Sequence, residues 1–405
     1  MTSIGQRSVL LACFLAWTLD AMDFQLFFVA FPDVARSLEL SNHDLGVMAL
    51  ISLMTSALGG WIAGVAADRY GRLPVLQWAV VLYSFGSLAT AFSDSMFGLL
   101  FSRSIAGFGF GAEWTAGAVL LSEWARREAR GRLTGYMLSG WGVGWLLAGL
   151  VYYGSSLAFT SSWVWRIPFL VGAAGGIVVL LVRLLARESS IFVSQAQQNK
   201  LPSSQVTVGR IALFVVLATS VQGTYYALHV FLPSYFRSFQ SSTSGSTSIL
   251  LIFAAVGSIA GSVVGALLVD AVGRRRLLVA TGVSLAALVW AVIGQGVLSA
   301  GPAFSLAAGF IPSLGYAALT PLLNEAFDSG HRASLVGLTY NAGRAFAGLY
   351  PYALGILTPS VGLAAAVLWV VSISCSILVI ISYFVVETKG VDLTNVGMTG
   401  ATDSR

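Results

Sequence analysis

The chain has 405 residues, of which 57% are hydrophobic and only 10% are charged, with a net charge of +5 and a mean hydropathy of +0.82. Soluble domains carry about 25% charged residues, so this composition excludes a soluble enzyme with a single membrane anchor and leaves no polar stretch long enough for a separate domain. Cys13 and Cys375 lie far apart inside apolar stretches, which indicates neither a disulfide framework nor a metal site.

Apolar stretches long enough to cross a bilayer recur along the whole chain. A window of about 19 residues predicts twelve helices, each near the roughly 20 residues that a span requires. The first is longer than the apolar core of a cleavable signal peptide and carries aspartates in its middle, so no such peptide is expected. The predicted spans are 8–31, 44–67, 74–93, 95–122, 133–153, 164–186, 211–236, 247–269, 277–298, 302–323, 334–358 and 361–386.

Lysine and arginine fall mainly in the segments on one side of these spans. With the N-terminus inside, only Arg36, Arg166 and Arg237 lie on the outer side, while Arg103 and Arg344 lie within spans. Cytoplasmic segments of membrane proteins are enriched in basic residues, so we expect both termini to be cytoplasmic. The basic residues form no patch suited to nucleic acid.

A polar stretch near the middle separates six spans from six. It includes SQAQQNKLPSSQ (194–205) and is interpreted as a flexible linker. The predicted organisation is an N-terminal six-helix bundle over 1–186, a cytoplasmic linker over 187–210, a C-terminal six-helix bundle over 211–386 and a cytoplasmic tail over 387–405.

The two groups of spans are related in sequence at a constant separation of 202 residues. Six pairs match in this register: Asp68 with Asp270, Gly71 with Gly273, Arg72 with Arg274, Glu123 with Glu325, Arg130 with Arg332, and Gly135 with Gly337. We interpret this as a duplication and predict an all-α integral membrane protein, with twelve transmembrane helices in two pseudo-symmetric bundles. Such bundles enclose a central cavity, with the substrate site near the bilayer midplane.

The segment GVAADRYGR (Gly64–Arg72) resembles a loop motif of the major facilitator superfamily. Its second copy, VDAVGRRR (Val269–Arg276), has Ala271 where the first has Arg69, so only the first matches in full. In that family the motif latches helix ends in one access state, which implies a conformational gate. The gate residues implied by the motif are Gly64, Asp68, Arg69, Gly71, Arg72, Asp270 and Arg274. Four further charged residues are predicted at cytoplasmic helix ends and are assigned to the gate for that reason: Glu123, Arg130, Glu325 and Arg332.

Other stretches resemble the sialate and lactate:proton symporter branch, with broader similarity to metabolite:proton and sugar:proton symporters. The resemblance covers essentially the whole chain. It implies a transporter of a small organic anion in the bacterial inner membrane, with the proton as coupling ion and no other cofactor. The stretches are FLAWTLDAMDF (Phe14–Phe24), RSIAGFGFGAEWTAGAVLLSE (Arg103–Glu123), PLLNEAFDSGHR (Pro321–Arg332) and VETKG (Val386–Gly390).

Ionisable residues inside spans mark function, because a charge at mid-bilayer costs at least about 2.5 kcal/mol. At a rise of 1.5 Å per residue, Asp23 lies roughly 5 Å and Arg103 roughly 7 Å to the outer side of the middle of their spans, so the two can meet. Arg103 then keeps Asp23 ionised until movement or substrate separates them, which makes the pair a proton switch. Similar sugar:proton symporters place an Asp and an Arg at matching motif positions. The alternative is a permanent ion pair that fixes two helices.

Two further acids are candidates for proton coupling. Asp20 precedes Asp23 by three residues and shares its helix face, so either can carry the proton, and the alternative for Asp20 is a hydrogen-bonded structural acid. Glu113 lies about 15 Å beyond Arg103 along the same helix. It can release the proton inward or line the substrate path.

Arg344, near the middle of the eleventh span, is the predicted anchor for an anionic substrate, because guanidinium is the preferred partner of a carboxylate. Asn341 lies one turn away. The alternative pairs Arg344 with Glu113 or another acid of the protein. Further candidate contacts to the substrate are Tyr225, Tyr226, His229 and Gln25.

The function predicted from these residues is import of a small organic acid, monocarboxylate or sialic-acid-like, with one or more protons by rocking of the two halves. The alternatives are a proton-coupled exporter of an amphipathic compound and a non-transporting membrane sensor. An enzyme is not expected, because no nucleophile, general base and metal-ligand set recurs at usable spacing. The expected partners are the organic anion and the lipid bilayer, with no nucleic acid and no metal, and we expect a monomer.

Overall fold

The computed structural model describes residues 3–40, 42–160, 163–183, 188–189, 191–194, 207–240, 244–294, 301–328, 330–391 and 393. Residues 187, 190 and 195–206 of the predicted linker lie outside this part of the chain, as do 392 and 394–405 of the predicted tail. The described residues form helices joined by short turns and include no strand.

The main helices follow one another along the chain with few intervening residues. A 3₁₀ turn, Arg127–Ala129, precedes α5, and a π-helical turn, Trp290–Gly294, extends α9. The helices are α1 (Ser3–Leu38), α2 (Asn42–Tyr70), α3 (Arg72–Ala91), α4 (Met96–Trp124), α5 (Arg130–Ala158), α6 (Trp163–Arg183), α7 (Val208–Gln240), α8 (Ser244–Val272), α9 (Arg274–Val289), α10 (Gly301–Ala326), α11 (Arg332–Ala347), α12 (Leu349–Val361) and α13 (Leu363–Phe384).

Helices occupy all twelve predicted span positions. Among the described residues, nine helices are long and apolar enough to cross a bilayer. The remaining three positions, the fifth, sixth and eleventh, hold α5, α6 and the pair α11 and α12. The predicted span 334–358 is therefore two consecutive helices separated by Gly348, rather than one.

The surface and the interior are the reverse of those of a soluble protein. Large apolar side chains such as Phe97, Trp78 and Phe384 are more than half exposed, whereas Arg274 and Arg332 are completely buried. Exposed apolar side chains of this size need a hydrocarbon solvent, and buried charges need partners within the bundle. The arrangement is that of a multi-pass membrane protein.

Close helix contacts join the first six spans to the last six. Between these halves, α5 packs on α8 and α2 packs on α11. Glycines permit the contact: a Cβ atom at Gly64 would lie 2.3 Å from the carbonyl oxygen of Ala333, and one at Gly337 would lie 2.4 Å from that of Gly60. Small residues at such crossings allow helix backbones to approach closely in membranes.

We expect Gly64→Leu to hold the two halves apart near the end of α2 and the start of α11, because the added atoms would overlap the backbone of α11. Spin labels on Arg69→Cys and Arg276→Cys, both exposed positions, measure the separation by pulsed electron resonance. The longest distances should gain population in Gly64→Leu. Gly154→Leu is the matched control, since a Cβ there meets no atom within 4 Å. Identical distance distributions in both variants would contradict the expectation.

Candidate transport site

Asp23 on α1 and Arg103 on α4 form a buried ion pair. Nη1 of Arg103 lies 2.8 Å from Oδ2 of Asp23, and the Ser87 hydroxyl on α3 donates to Oδ1 at 2.5 Å. The guanidinium also lies over the rings of Phe27 and Phe169, at 5.0 and 5.8 Å from their centroids. Both carboxylate oxygens are therefore engaged, and three helices hold the charge in place.

Asp20 lies beside this pair and faces the same small cavity. Its carboxyl is 2% exposed, and its Oδ2 atom has no hydrogen-bond partner among the described residues. We call this space the carboxylate cavity. Its lining residues are Asp20, Asp23, Phe24, Ser52, Tyr83, Arg103, Ala106, Gly107 and Phe110. Asp20 and Asp23 lie on the same face of α1, as predicted, and this face lines the carboxylate cavity.

A second cavity, the central cavity, lies between the halves and contains Arg344. Nη1 of Arg344 donates to the Ser56 hydroxyl at 2.9 Å, and the guanidinium lies over the rings of Phe110 and Tyr340, at 4.5 and 5.0 Å. No carboxylate of the described residues lies within ion-pairing distance of it. The lining residues are Trp17, Leu138, Trp141, Tyr225, Tyr226, Ser258, Ser262, Ser313, Tyr316, Tyr340 and Arg344.

Phe110 is the wall between the two cavities. It lines the carboxylate cavity, and its ring faces the Arg344 guanidinium in the central one. The ring is stacked on Trp17 and on Phe24, with centroids 5.7 and 5.4 Å apart. A movement at Arg344 that displaces Phe110 therefore acts directly on the wall of the carboxylate cavity.

The central cavity is narrow, and a second hydrogen bond between the halves, besides that of Arg344 with Ser56, crosses it. Its free volume is about 30 Å³, and Nε1 of Trp141 on α5 donates to the hydroxyl of Tyr225 on α7 at 2.9 Å. The walls must separate before a molecule of several heavy atoms can bind. The structure is thus closed around the site.

Some predicted substrate contacts are engaged elsewhere. Asn341 donates to the Thr115 hydroxyl at 3.1 Å and to the Gly337 carbonyl at 2.9 Å, so its amide joins helices of the two halves. His229 stacks on Tyr225 with 3.8 Å between centroids, and its Nδ1 lies 3.0 Å from that residue's carbonyl oxygen. Neither residue is among those that line the central cavity.

Three other predicted residues take separate positions. Tyr226 lines the central cavity beside Tyr225. Gln25 is half-buried on α1 and Glu113 is 2% exposed on α4, and neither is among the residues that line the two cavities. Glu113 is also not the partner of Arg344, whose polar contact is Ser56.

Residues of the gate predicted on the first motif belong to an ion-pair cluster at the end of α2, the start of α3 and the end of α4. Nη2 of Arg72 lies 3.1 Å from Glu123 and 3.3 Å from Asp68. Glu123 also pairs with Arg332 of the other half at 2.9 Å. Asp68 reaches across as well, accepting from the backbone N–H of Ser334 at 2.8 Å, near the start of α11.

The second motif repeats this arrangement in the opposite direction. Arg274 lies 2.9 Å from Glu325 and 3.0 Å from Asp270, while Arg130 of the first half pairs with Glu325 at 3.0 Å. Asp270 accepts from the backbone N–H of Arg132 at 2.8 Å, near the start of α5. Each half thus places an acid on a helix N-terminus of the other, where the helix dipole favours negative charge.

Two glycines and one arginine of the motifs are not members of the ion-pair cluster. Gly71 and Gly273 begin α3 and α9 with φ of 105° and 103°, a conformation that other residues adopt at a cost. Arg69 is exposed, and its guanidinium lies 5.3 Å from the ring centroid of Tyr70, outside the buried cluster. Ala271 in the second copy therefore replaces a residue that the cluster does not use.

Comparison with known proteins agrees with this architecture. Residues 13–293 match the family model described as Major Facilitator Superfamily, and residues 194–398 match that of Sugar (and other) transporter. The chain belongs to the Major Facilitator Superfamily. Among solved structures, the proton:xylose symporter XylE of Escherichia coli superposes with a TM-score of 0.85 at 18% identity, over 98% of this chain and 99% of that one.

Curated relatives span almost the whole chain. A probable 4-methylmuconolactone transporter of Cupriavidus pinatubonensis is 30% identical, covering 97% of this chain and 93% of its own. A cis,cis-muconate transport protein of Acinetobacter baylyi is 23% identical, covering 91% of this chain and 92% of its own. A sialic acid transporter of Escherichia coli is 24% identical, covering 93% of this chain and 93% of its own. The chain is a multi-pass transporter and not an enzyme.

Proposed function

We propose that the chain imports a small organic anion together with protons across the bacterial inner membrane. Each monomer would expose the central cavity alternately to the two sides, with both termini in the cytoplasm. Arg344 carries this proposal: its guanidinium is 1% exposed and lines the cavity, and its polar partner is a serine rather than an acid. A buried cation without a counter-charge is costly, and a substrate carboxylate supplies that charge in the geometry guanidinium prefers.

Asp23, Arg103 and Asp20 support proton coupling. In the paired state Arg103 stabilises the negative charge of Asp23. When substrate binding moves Phe110 and separates the pair, the carboxylate loses its counter-charge inside a low-dielectric space and takes up a proton. Asp20 offers a second acid within the same cavity.

Proton coupling solves an electrical problem of anion import. Moving one negative charge inward against a negative-inside potential costs about 2.3 kcal/mol per 100 mV. A proton that travels with each monoanion removes this cost and adds the pH gradient as a driving force. The two buried sites, one for the anion and one for the proton, are separated by a single aromatic wall.

The cytoplasmic cluster supplies the gate for alternating access. The pairs of Glu123 with Arg332 and of Glu325 with Arg130 hold the halves together at that end. Release of the substrate inward requires these pairs to separate and their charges to be solvated. The relatives named for muconate, methylmuconolactone and sialic acid support an organic acid as the substrate.

External pH in de-energised, lightly buffered cells tests the proposal. Addition of a transported carboxylate should raise the external pH in cells that express the chain, relative to vector-only cells, because protons enter with the anion. Arg344→Gln should abolish the difference, while Arg36→Gln, an exposed charge, should not. If no carboxylate raises the pH although the protein is at the cell surface, proton-coupled acid import is wrong.

Asp20→Asn is expected to lower the number of protons carried per substrate without removing substrate binding. Asp20 lines the carboxylate cavity but is not in the central cavity with Arg344. The stoichiometry is measured in proteoliposomes from the membrane potential that balances a fixed substrate gradient. An unchanged stoichiometry would assign Asp20 a structural role.

A further inference from the structure

Aromatic rings dominate the lining of the central cavity. Six of its eleven lining residues are tryptophan or tyrosine, and one is the cation Arg344. Building on the proposed import of an organic acid, we propose that the substrate is a planar, conjugated monocarboxylate, such as an aromatic acid, that carries a second polar group. The six aromatic residues are Trp17, Trp141, Tyr225, Tyr226, Tyr316 and Tyr340.

The arrangement of the rings favours a flat ligand. Tyr225 meets Tyr226 and Tyr316 edge to face, at interplanar angles of 81° and 87°, and on the opposite half Trp17 is stacked on Phe110. A conjugated ring is about 3.5 Å thick at contact distance, so it needs the least separation of walls that enclose only about 30 Å³. It also gains stacked and edge contacts that a saturated ring cannot make.

The lining is poorly suited to a hydroxyl-rich acid. It contains no Asn, Gln, Asp or Glu among its described residues. The Tyr225 hydroxyl is bonded to Trp141, and the hydroxyls of Ser258 and Ser313 lie 2.9 Å from each other. Each unpaired polar group that a polyol brought into this space would cost about 1–3 kcal/mol.

Three serines define where the second polar group binds. Ser258 and Ser262 lie on α8 and Ser313 on α10, and these two helices pack together, whereas Arg344 is on α11, which packs on α2 and α7. Ser262 is 4% exposed, lines the cavity and takes no part in the hydrogen bond between Ser258 and Ser313. A ligand held by Arg344 at its carboxylate therefore meets the Ser262 hydroxyl on another wall of the cavity.

Isothermal titration of the purified full chain in lipid nanodiscs tests the substrate class. The probes are benzoate, 3- and 4-hydroxybenzoate, cyclohexanecarboxylate, N-acetylneuraminate and benzamide. We expect the planar acids to bind about tenfold more tightly than cyclohexanecarboxylate and N-acetylneuraminate to bind more weakly than either. Equal binding of the saturated ring, or no binding of any planar acid to folded protein, overturns this inference.

Benzamide separates this inference from the function on which it rests. It has the same ring as benzoate but no charge. If benzamide binds as tightly as benzoate, the proposal of an anionic substrate fails while the preference for a planar ring stands. If cyclohexanecarboxylate binds as tightly as benzoate and benzamide does not bind, the anionic substrate stands and planarity fails.

Ser262→Ala tests the second polar group. The better-bound hydroxybenzoate should lose up to about tenfold in affinity, while benzoate should change less than about twofold. Ser156→Ala, at an exposed position of α5, is the control and should alter neither. Equal losses for benzoate and the hydroxybenzoate would overturn the assignment of Ser262, because they would report a change in the cavity wall rather than a lost hydrogen bond.

Discussion

Asp23→Asn should abolish accumulation of the substrate against its gradient while leaving exchange of substrate across the membrane intact. Asparagine keeps one oxygen that can accept from Arg103, and its amide nitrogen can donate to the Ser87 hydroxyl, which in turn donates to the Phe169 carbonyl. The three helices therefore stay hydrogen-bonded, but asparagine cannot bind or release a proton. Proteoliposomes with an imposed pH gradient measure accumulation, and counterflow of labelled substrate without a gradient measures exchange. Accumulation should fall to the level of empty vesicles.

Asp94→Asn is the matched control for this substitution. Asp94 is also paired with an arginine, Arg166, but its side chain is 81% exposed on a loop outside both cavities. Exposed pairs contribute about 0–1 kcal/mol, so both assays should be unchanged. If Asp23→Asn removes counterflow together with accumulation, Asp23 has a role in binding or in closure, and proton coupling alone does not describe it.

The aromatic wall between the cavities provides the physical link that such coupling requires. Phe110 touches the guanidinium of Arg344 on one side and stacks on Phe24, a residue of the carboxylate cavity, on the other. A carboxylate that binds Arg344 competes with the ring for the cation. In the proposed mechanism, displacement of the ring changes the space around Asp23 and would thereby join anion binding to protonation through one side chain.

Helix positions and the meeting of Asp23 with Arg103 could be predicted because they depend on local rules. Each span is a long apolar run, and depth along a helix follows from a fixed rise per residue. This fixed rise predicts a similar depth for the two residues, and the structure puts their side chains 2.8 Å apart. The break at Gly348 could not be predicted, because apolar residues continue across it.

The partners of the gate charges and the lining of the central cavity depend on tertiary packing. Glu123 pairs with Arg332 rather than with Arg130 of its own half, and no spacing in the sequence specifies this exchange. Ser56 and Ser87, which contact Arg344 and Asp23, are single serines in apolar spans and carry no pattern of their own. For the same reason the sequence does not predict that Trp17, Trp141 and the cavity serines line one cavity, since these residues come from four different helices.

Tertiary packing also explains why reasoning from one helix places Asn341 at the substrate, whereas the structure places it between the two halves. It lies one turn from Arg344, which suggests a shared face toward the substrate. The helix α2 approaches so closely that a Cβ at Gly60 would lie 2.0 Å from the Asn341 amide nitrogen. That amide therefore bridges the halves through Thr115, and only Arg344 reaches the cavity.

Arg344→Gln should reduce affinity for the anionic substrate by about 10- to 100-fold, the value of one or two charge-assisted hydrogen bonds. The variant should fold, because removal of this guanidinium takes a hydrogen-bond partner from the Ser56 and Tyr340 hydroxyls but leaves no buried carboxylate without its counter-charge. Arg103→Gln would differ, since it strands the buried Asp23 carboxylate and is expected to destabilise the chain by several kcal/mol. Titration in nanodiscs gives the affinity, and thermal unfolding monitors the fold.

Arg344→Lys distinguishes charge from geometry at the same position. Lysine keeps the positive charge but not the planar fork, so affinity should fall less than in Arg344→Gln while the preference for a carboxylate over its amide is retained. Arg36→Gln, at a side chain that is 78% exposed, should bind as the unmodified chain does. If Arg344→Gln binds the anion with unchanged affinity, Arg344 is not the anchor, and its buried charge must be stabilised by Ser56 and by the rings of Phe110 and Tyr340.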